Sequence, residues 1–170
     1  MMKKMMLIML TMVLAMVVSA CSGEKPSKEV NKAEMNKIEA SKTAKEMVDQ
    51  MVTEVEQPAF MELSADEMKD LYNIDSEKLE EFSVRTPMMM VKTNEIAIFK
   101  VKDAKDVAEV EAAAKVRAEN VMKTFEQYLP DQYENAKNHK IITKGNYVLL
   151  VISDKADELI KIYDSFFAKK

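Results

Sequence analysis

The sequence predicts an α+β domain: an antiparallel sheet of four or five strands packed against long amphipathic helices, preceded by a cleaved signal peptide and a short polar tether. Three observations predict this class. Residues 95–101 (EIAIFKV) and 147–153 (YVLLVIS) are nearly continuous in β-branched, aliphatic and aromatic side chains, as strands buried on both faces require. Val107, Val110, Ala114, Ala118, Val121, Met122, Phe125 and Leu129 recur at spacings of three and four, which makes one helical face. Lys144-Gly145-Asn146 joins two strand patterns closely enough for a hairpin, and Gly and Asn both tolerate positive φ.

Taken in order, Lys3 and Lys4 give a positive start, and Met5 to Val18 follow as an apolar stretch broken only by Thr11. This is the layout of a secretory signal, too short for the roughly 20 residues of a spanning helix. Val18-Ser19-Ala20-Cys21 closes it in the pattern of a lipobox. The small residues Ser19 and Ala20 suit a lipoprotein signal peptidase cutting between Ala20 and Cys21. The Cys21 thiol can form the thioether to diacylglycerol, whose two chains anchor stably where one, at about 0.8 kcal/mol per methylene, is marginal. Residues 1–20 are thus expected to be a lipoprotein signal peptide. Val18-Ser19-Ala20 would also serve a general secretory cleavage that leaves the cysteine free.

Residues 21–35 are polar, contain Gly23 and Pro26, and show no apolar periodicity, as a tether does. Residues 36–170 are read as a single α+β domain. From about Met35 to Glu56, Ala44, Met47, Val48, Met51, Val52 and Val55 share a helical face, and Pro58 stops the helix. Phe60 to Leu63 fits a short strand, and Ser64 with Glu67 is a capping-box signature for a brief helix through Leu71. Phe82, Val84, Met88 and Met90 alternate with period two and predict a strand, with Pro87 at an edge or bulge. Asp103 is expected to cap the long helix, which runs until Pro130. A polar connection then leads to the hairpin. Asp154 is expected to cap a last helix with Ala156, Leu159, Ile160, Tyr163, Phe166 and Phe167 on one face.

Composition narrows the function. Removing residues 1–20 also removes Lys3 and Lys4, leaving 23 basic against 29 acidic residues. A mildly acidic chain without a dense basic run opposes binding to a phosphate backbone, so no nucleic-acid partner is expected. Cys21 is the sole cysteine, which rules out an intrachain disulfide. With one histidine, His139, and that cysteine committed to lipid, zinc ligation and a nucleophile–histidine pair both lack their parts. Gly23 and Gly145 make no phosphate loop, so no cofactor is expected. Asp66, Glu67, Asp70, Asp103 and Asp106 sit at helix starts, where stabilisation of the helix dipole accounts for them without calcium.

Met88-Met89-Met90 could form an adaptable apolar surface or a soft-metal site, but alternation splits the three across two faces and favours ordinary sheet packing. Arg117 is the only arginine on the long helix. The default position is the surface near Glu109, Glu111 or Glu119, although its planar fork would suit a buried or bidentate pairing. Arg117 and Tyr147 are the residues around which a ligand concavity is sought.

Glu95-Ile-Ala-Ile-Phe-Lys-Val-Lys, Val116-Arg117, Tyr128-Leu129-Pro130 and Lys144-Gly145-Asn146-Tyr147-Val148 together resemble the bacterial lipoprotein family known as domain of unknown function 4358, over about residues 63–166. The resemblance implies location and domain boundaries, and no catalytic residue. The expectation is a membrane-anchored extracytoplasmic lipoprotein, held on the outer face of the cell membrane, that binds an envelope protein, peptide or wall component without catalysis. The alternative is an envelope hydrolase that assembles carboxylates dispersed in sequence.

Overall fold

The computed structural model describes residues 38–168. The leader, the Ala20–Cys21 cleavage and lipid site and the tether lie outside the described residues. Thr43 opens the first helix, α1 (Ala44–Glu54). Its hydroxyl accepts from the Glu46 N–H while the Glu46 carboxylate accepts from the Thr43 N–H, so two donors at the helix start are satisfied reciprocally. Residues 38–43 are not helical, so the helix expected from Met35 begins only where this box and the apolar periodicity coincide.

A short strand, β1 (Phe60–Glu62), leads to α2 (Ala65–Tyr72), which carries the expected Ser64–Glu67 capping box and ends at Asn73 in the left-handed region, φ 54°. A 3-10 turn at Ser76–Lys78 feeds β2 (Leu79–Pro87), and β3 (Glu95–Val101) follows. The long helix α3 (Val107–Phe125), the shorter α4 (Pro130–Lys137), the hairpin β4 (Lys140–Lys144) and β5 (Tyr147–Ile152), and α5 (Ala156–Ser165) complete the order. The five strands form one antiparallel sheet in the order β1-β2-β3-β5-β4, so β3 and β5 are interior strands.

Alternation along those two strands divides the core. Ala97, Phe99 and Val101 of β3 with Val148, Leu150 and Ile152 of β5 meet Val110, Ala114, Ala118 and Phe125 of α3 and Met68 and Tyr72 of α2. Ile96 and Ile98 with Tyr147, Leu149 and Val151 face the other way, onto Met47, Val48 and Met51 of α1 and Leu159, Tyr163 and Phe166 of α5. Helices therefore cover both faces, which explains strands without the polar alternation of a sheet with one wet face. Every residue of β3 and β5 is buried.

Several expectations need correction. Pro87 is the last residue of β2, and Met88 to Val91 leave the sheet. β1 reaches only Phe60, opposite Pro87, and β3 begins at Glu95, so no partner strand extends alongside the methionines. Met88, Met89 and Met90 are 65%, 52% and 94% exposed, which overturns the expected sheet packing. Asp103 and Asp154 do not cap: Asp103 precedes a 3-10 turn without a side-chain bond, and the Ser153 hydroxyl, not Asp154, accepts from the Lys155 N–H. The long helix stops at Phe125, short of Leu129.

The supposed polar connection contains α4. Proline serves at its start, since an N–H is unneeded in the first turn, and buried Gln132 and Ala136 give it too little apolar periodicity to be read. In the hairpin only Gly145 takes positive φ, at 53°, and Asn146 instead turns its side chain inward to accept from the Ile38 N–H.

Candidate functional site

Glu95 is the first residue of β3, and alternation points its side chain at α3 and α2. A carboxylate only 1% exposed needs compensation, since an unpaired buried charge is among the costliest features a fold can hold. Arg117 provides it from the facing side of α3. Its Nε donates to Glu95 Oε1 at 3.0 Å and its Nη2 to Oε2 at 2.7 Å, a forked pairing that lysine cannot make. The Tyr72 hydroxyl, from the end of α2, donates to Glu95 Oε1, and the Arg117 guanidinium carbon lies 6.0 Å from the Tyr72 ring centroid. The surface position near Glu109, Glu111 or Glu119 is thus not where Arg117 sits.

The electrostatics follow from this arrangement. Burial acts against the charge of Arg117, but the hydrogen bonds and charge of Glu95 outweigh it, and the guanidinium pKa ends above its ordinary value. Burial raises the Tyr72 phenol well above its usual range, and the Glu95 charge raises it further, so the hydroxyl remains a donor.

Two of the three, Glu95 and Arg117, line a cleft of about 420 Å³ at the end of the sheet, and Tyr72 lies behind them. Leu71, Met89, Met90, Val121 and Phe125 give it apolar walls, with Thr86, Thr93, Thr124 and Lys92 among its polar lining. Met90, at the rim, stands almost wholly in solvent. The volume falls in the range of small-ligand and side-chain pockets, and a mostly apolar lining with few polar groups is the usual composition of a binding site.

Arg117 and Tyr147, sought together from the sequence, lie on opposite faces of the sheet. Tyr147 is buried beneath α1 and α5, edge to face with Phe167 at 5.1 Å, and its hydroxyl accepts from the Ala40 N–H at 3.4 Å. The cation beside it is Lys100, which is 4% exposed and reaches Glu39 and Glu80 at 2.9 Å and Glu81 at 3.5 Å. Burial pulls the Lys100 pKa down, but the hydrogen bonds it donates to Glu39 and Glu80 outweigh that and the net shift is upward. β3 thus carries a buried charge at each end, Glu95 facing one layer and Lys100 the other. Neither was singled out from the sequence. The available signal was a charged residue inside a run otherwise apolar on both faces, which requires a partner.

A second cavity, of about 520 Å³, is polar and lined by Glu56, Asp131 and Asp154 with Gln57, Asn94, Gln132, Asn135, Lys92 and Lys155. Its acids serve structural bonds. Glu56 pairs with Lys155 at 3.6 Å, and Asp131 accepts from the Gln132 side chain at 3.0 Å, which holds its carboxyl below the usual range. A general acid needs the opposite shift. The other displaced carboxyls also move down: Glu46 and Glu67 through bonds from their capping partners Thr43 and Ser64, and Glu62 through bonds from Lys45 and Arg85. His139 caps the end of α4, its Nδ1 2.8 Å from the Ala136 carbonyl oxygen. Among the described residues no cluster of three His, Cys, Asp or Glu could hold a metal, and no helix is long and apolar enough to cross a membrane.

No curated protein and no solved structure matches the chain. A family model described as Domain of unknown function (DUF4358) matches residues 53–153, from the end of α1 past the end of β5 and including Tyr72, Glu95 and Arg117. That match covers more than half of the sequence, and the chain belongs to this family.

Proposed function

We propose that the chain is an extracytoplasmic lipoprotein, cut before Cys21 and held on the cell membrane by a diacylglyceryl thioether, whose domain at residues 36–170 binds a partner in the envelope and does no chemistry. The observation that carries the binding reading is the apolar cleft rimmed by Met89 and Met90 and floored by the Glu95–Arg117 pair. An exposed apolar concavity costs solubility unless something occupies it, and side chains without branching adapt to an occupant's shape. The anchor is supported by the coincidence of the only cysteine with the one position a lipobox requires. A tethered domain meets its partners at raised local concentration, so modest affinity suffices.

The experiment is metabolic labelling with a fatty-acid probe and fractionation of cells expressing Cys21→Ala beside the unaltered chain. Label and membrane retention are expected only in the unaltered chain. Retention of the alanine variant in the membrane fraction overturns the anchor.

A further inference from the structure

The structure assigns Met88, Met89 and Met90 as a site of reversible sulfoxidation: a peroxide oxidises these three thioethers ahead of every other described methionine, and the fold survives the change. The assignment goes beyond the binding reading above and does not depend on it, since it concerns the side chains themselves and not what the cleft holds.

A thioether is attacked as readily as an oxidant can reach it. Met90, Met88 and Met89 are 94%, 65% and 52% exposed, and Met61 on β1 follows at 42%. Met47, Met51 and Met68 have no exposure, the first two beneath α1 and the third between α2 and the sheet. An oxidant meets those three only in molecules that have opened. The same residue type is thus sorted by the fold into a shielded set and an open set, and the open set is gathered at one turn.

The turn does not rely on its sulfur atoms for shape. The Met88 N–H donates to the Ala59 carbonyl at 2.9 Å and the Lys92 N–H to the Met89 carbonyl at 3.1 Å, so backbone bonds hold it at both ends. An oxygen added to an exposed sulfur is hydrated by water, whereas a sulfoxide in the core would bury an acceptor without a partner. Met89 and Met90 also line the cleft beside Leu71, Val121 and Phe125. Oxidation therefore replaces two flexible apolar walls of the cleft with polar, acceptor-bearing ones.

The step balances with hydrogen peroxide as oxidant. The sulfur lone pair attacks one peroxide oxygen, the O–O bond breaks, and the transferred hydroxyl gives its proton to the departing hydroxide. The products are one sulfoxide and one water. Reduction by two thiols returns the thioether, with a disulfide and water formed, and exposure of the three side chains lets a methionine sulfoxide reductase reach them.

The test treats the full chain with hydrogen peroxide, stops the reaction at intervals and maps added oxygen by mass spectrometry of its peptides. Met88, Met89 and Met90 are expected to be oxidised at least about tenfold faster than Met47, Met51 and Met68, with Met61 between them. In urea that advantage is expected to vanish. Circular dichroism and the urea midpoint of the chain oxidised at residues 88–90 are expected to match those of the untreated chain. Reductases for both sulfoxide epimers, supplied with dithiothreitol, are expected to remove the oxygen from all three. Equal rates in the folded chain, an advantage that persists in urea, loss of structure on oxidation at residues 88–90, or sulfoxides there that resist the reductases would each overturn the assignment. None of these results bears on Cys21 labelling, so the anchor stands or falls separately.

Discussion

The Arg117 guanidinium meets the Glu95 carboxylate edge to edge, with Nη2 2.7 Å from Oε2 and Nε 3.0 Å from Oε1, and so fastens the middle of α3 to the first residue of the central strand. A pair of this kind is costly to break and cheap to replace. Removing one partner leaves the other buried and uncompensated, whereas an apolar pair of similar volume leaves no charge behind. Arg117→Met alone is expected to destabilise the fold by about 3–5 kcal/mol. Adding Glu95→Leu is expected to restore most of the loss. Urea unfolding of the four chains checks this, and a double variant no more stable than Arg117→Met would contradict it.

Lys100 gives the fold an alkaline limit. Its folded pKa is raised, so the folded chain holds this proton more tightly than the unfolded one. The stability it contributes is fully present below the unfolded lysine value of about 10.4 and is lost as pH rises from there through the folded value. The difference in unfolding free energy between the unaltered chain and Lys100→Met is expected to be flat from neutral pH to about 10 and to shrink above it. A difference that stays constant into strong alkali would show that the lysine is not a bound proton's site.

The two capping boxes are local and separable. Ser64→Ala and Thr43→Ala each remove a hydroxyl that accepts from the third residue of a helix. Each is expected to cost about 1 kcal/mol, and the two costs should add because the caps belong to different helices. Thermal unfolding of the single and double variants checks this; no loss in either would mean that water serves the freed N–H groups equally well.

Met68 and Met90 are the same residue in opposite circumstances, one wholly buried beneath α3 and the other 94% exposed. Met68→Ala is expected to cost about 2–5 kcal/mol through the cavity it leaves. Met90→Ala should stay within about 0.5 kcal/mol. Equal costs in denaturant titrations would place Met90 in the core.

Gly145 opens the β4–β5 hairpin at φ 53°, where a Cβ clashes. Gly145→Ala is expected to lower stability by more than about 1 kcal/mol. The neighbouring Asn146 also holds Ile38, so amide exchange at Ile38 should rise in the same variant.

Much of the architecture was legible because it is written in short-range chemistry. Period and composition identified β3, β5, the apolar faces of α1, α3 and α5, the Ser64–Glu67 cap and the hairpin, and the family resemblance agrees with the match over residues 53–153. Elements that depend on what lies alongside them were misread. Met88 to Met90 alternate like a strand, yet whether a strand continues is set by its neighbours, and both β1 and β3 have ended there. Helix α4 hid in a polar stretch because it buries little, and its proline marked a beginning where the sequence suggested a stop.

The sequence by itself determined the strands and helices that bury an apolar face, β3, β5, α1, α3 and α5 among them, since backbone preference and apolar period act within a few residues. Only the tertiary structure decided that Glu95 meets Arg117, that Tyr147 lies beyond the sheet from both, and that the methionines form the rim of a cleft. Those relationships depend on which face each residue presents once strands pair and helices cover them, and a coulombic partner twenty-two positions away leaves no trace in local pattern.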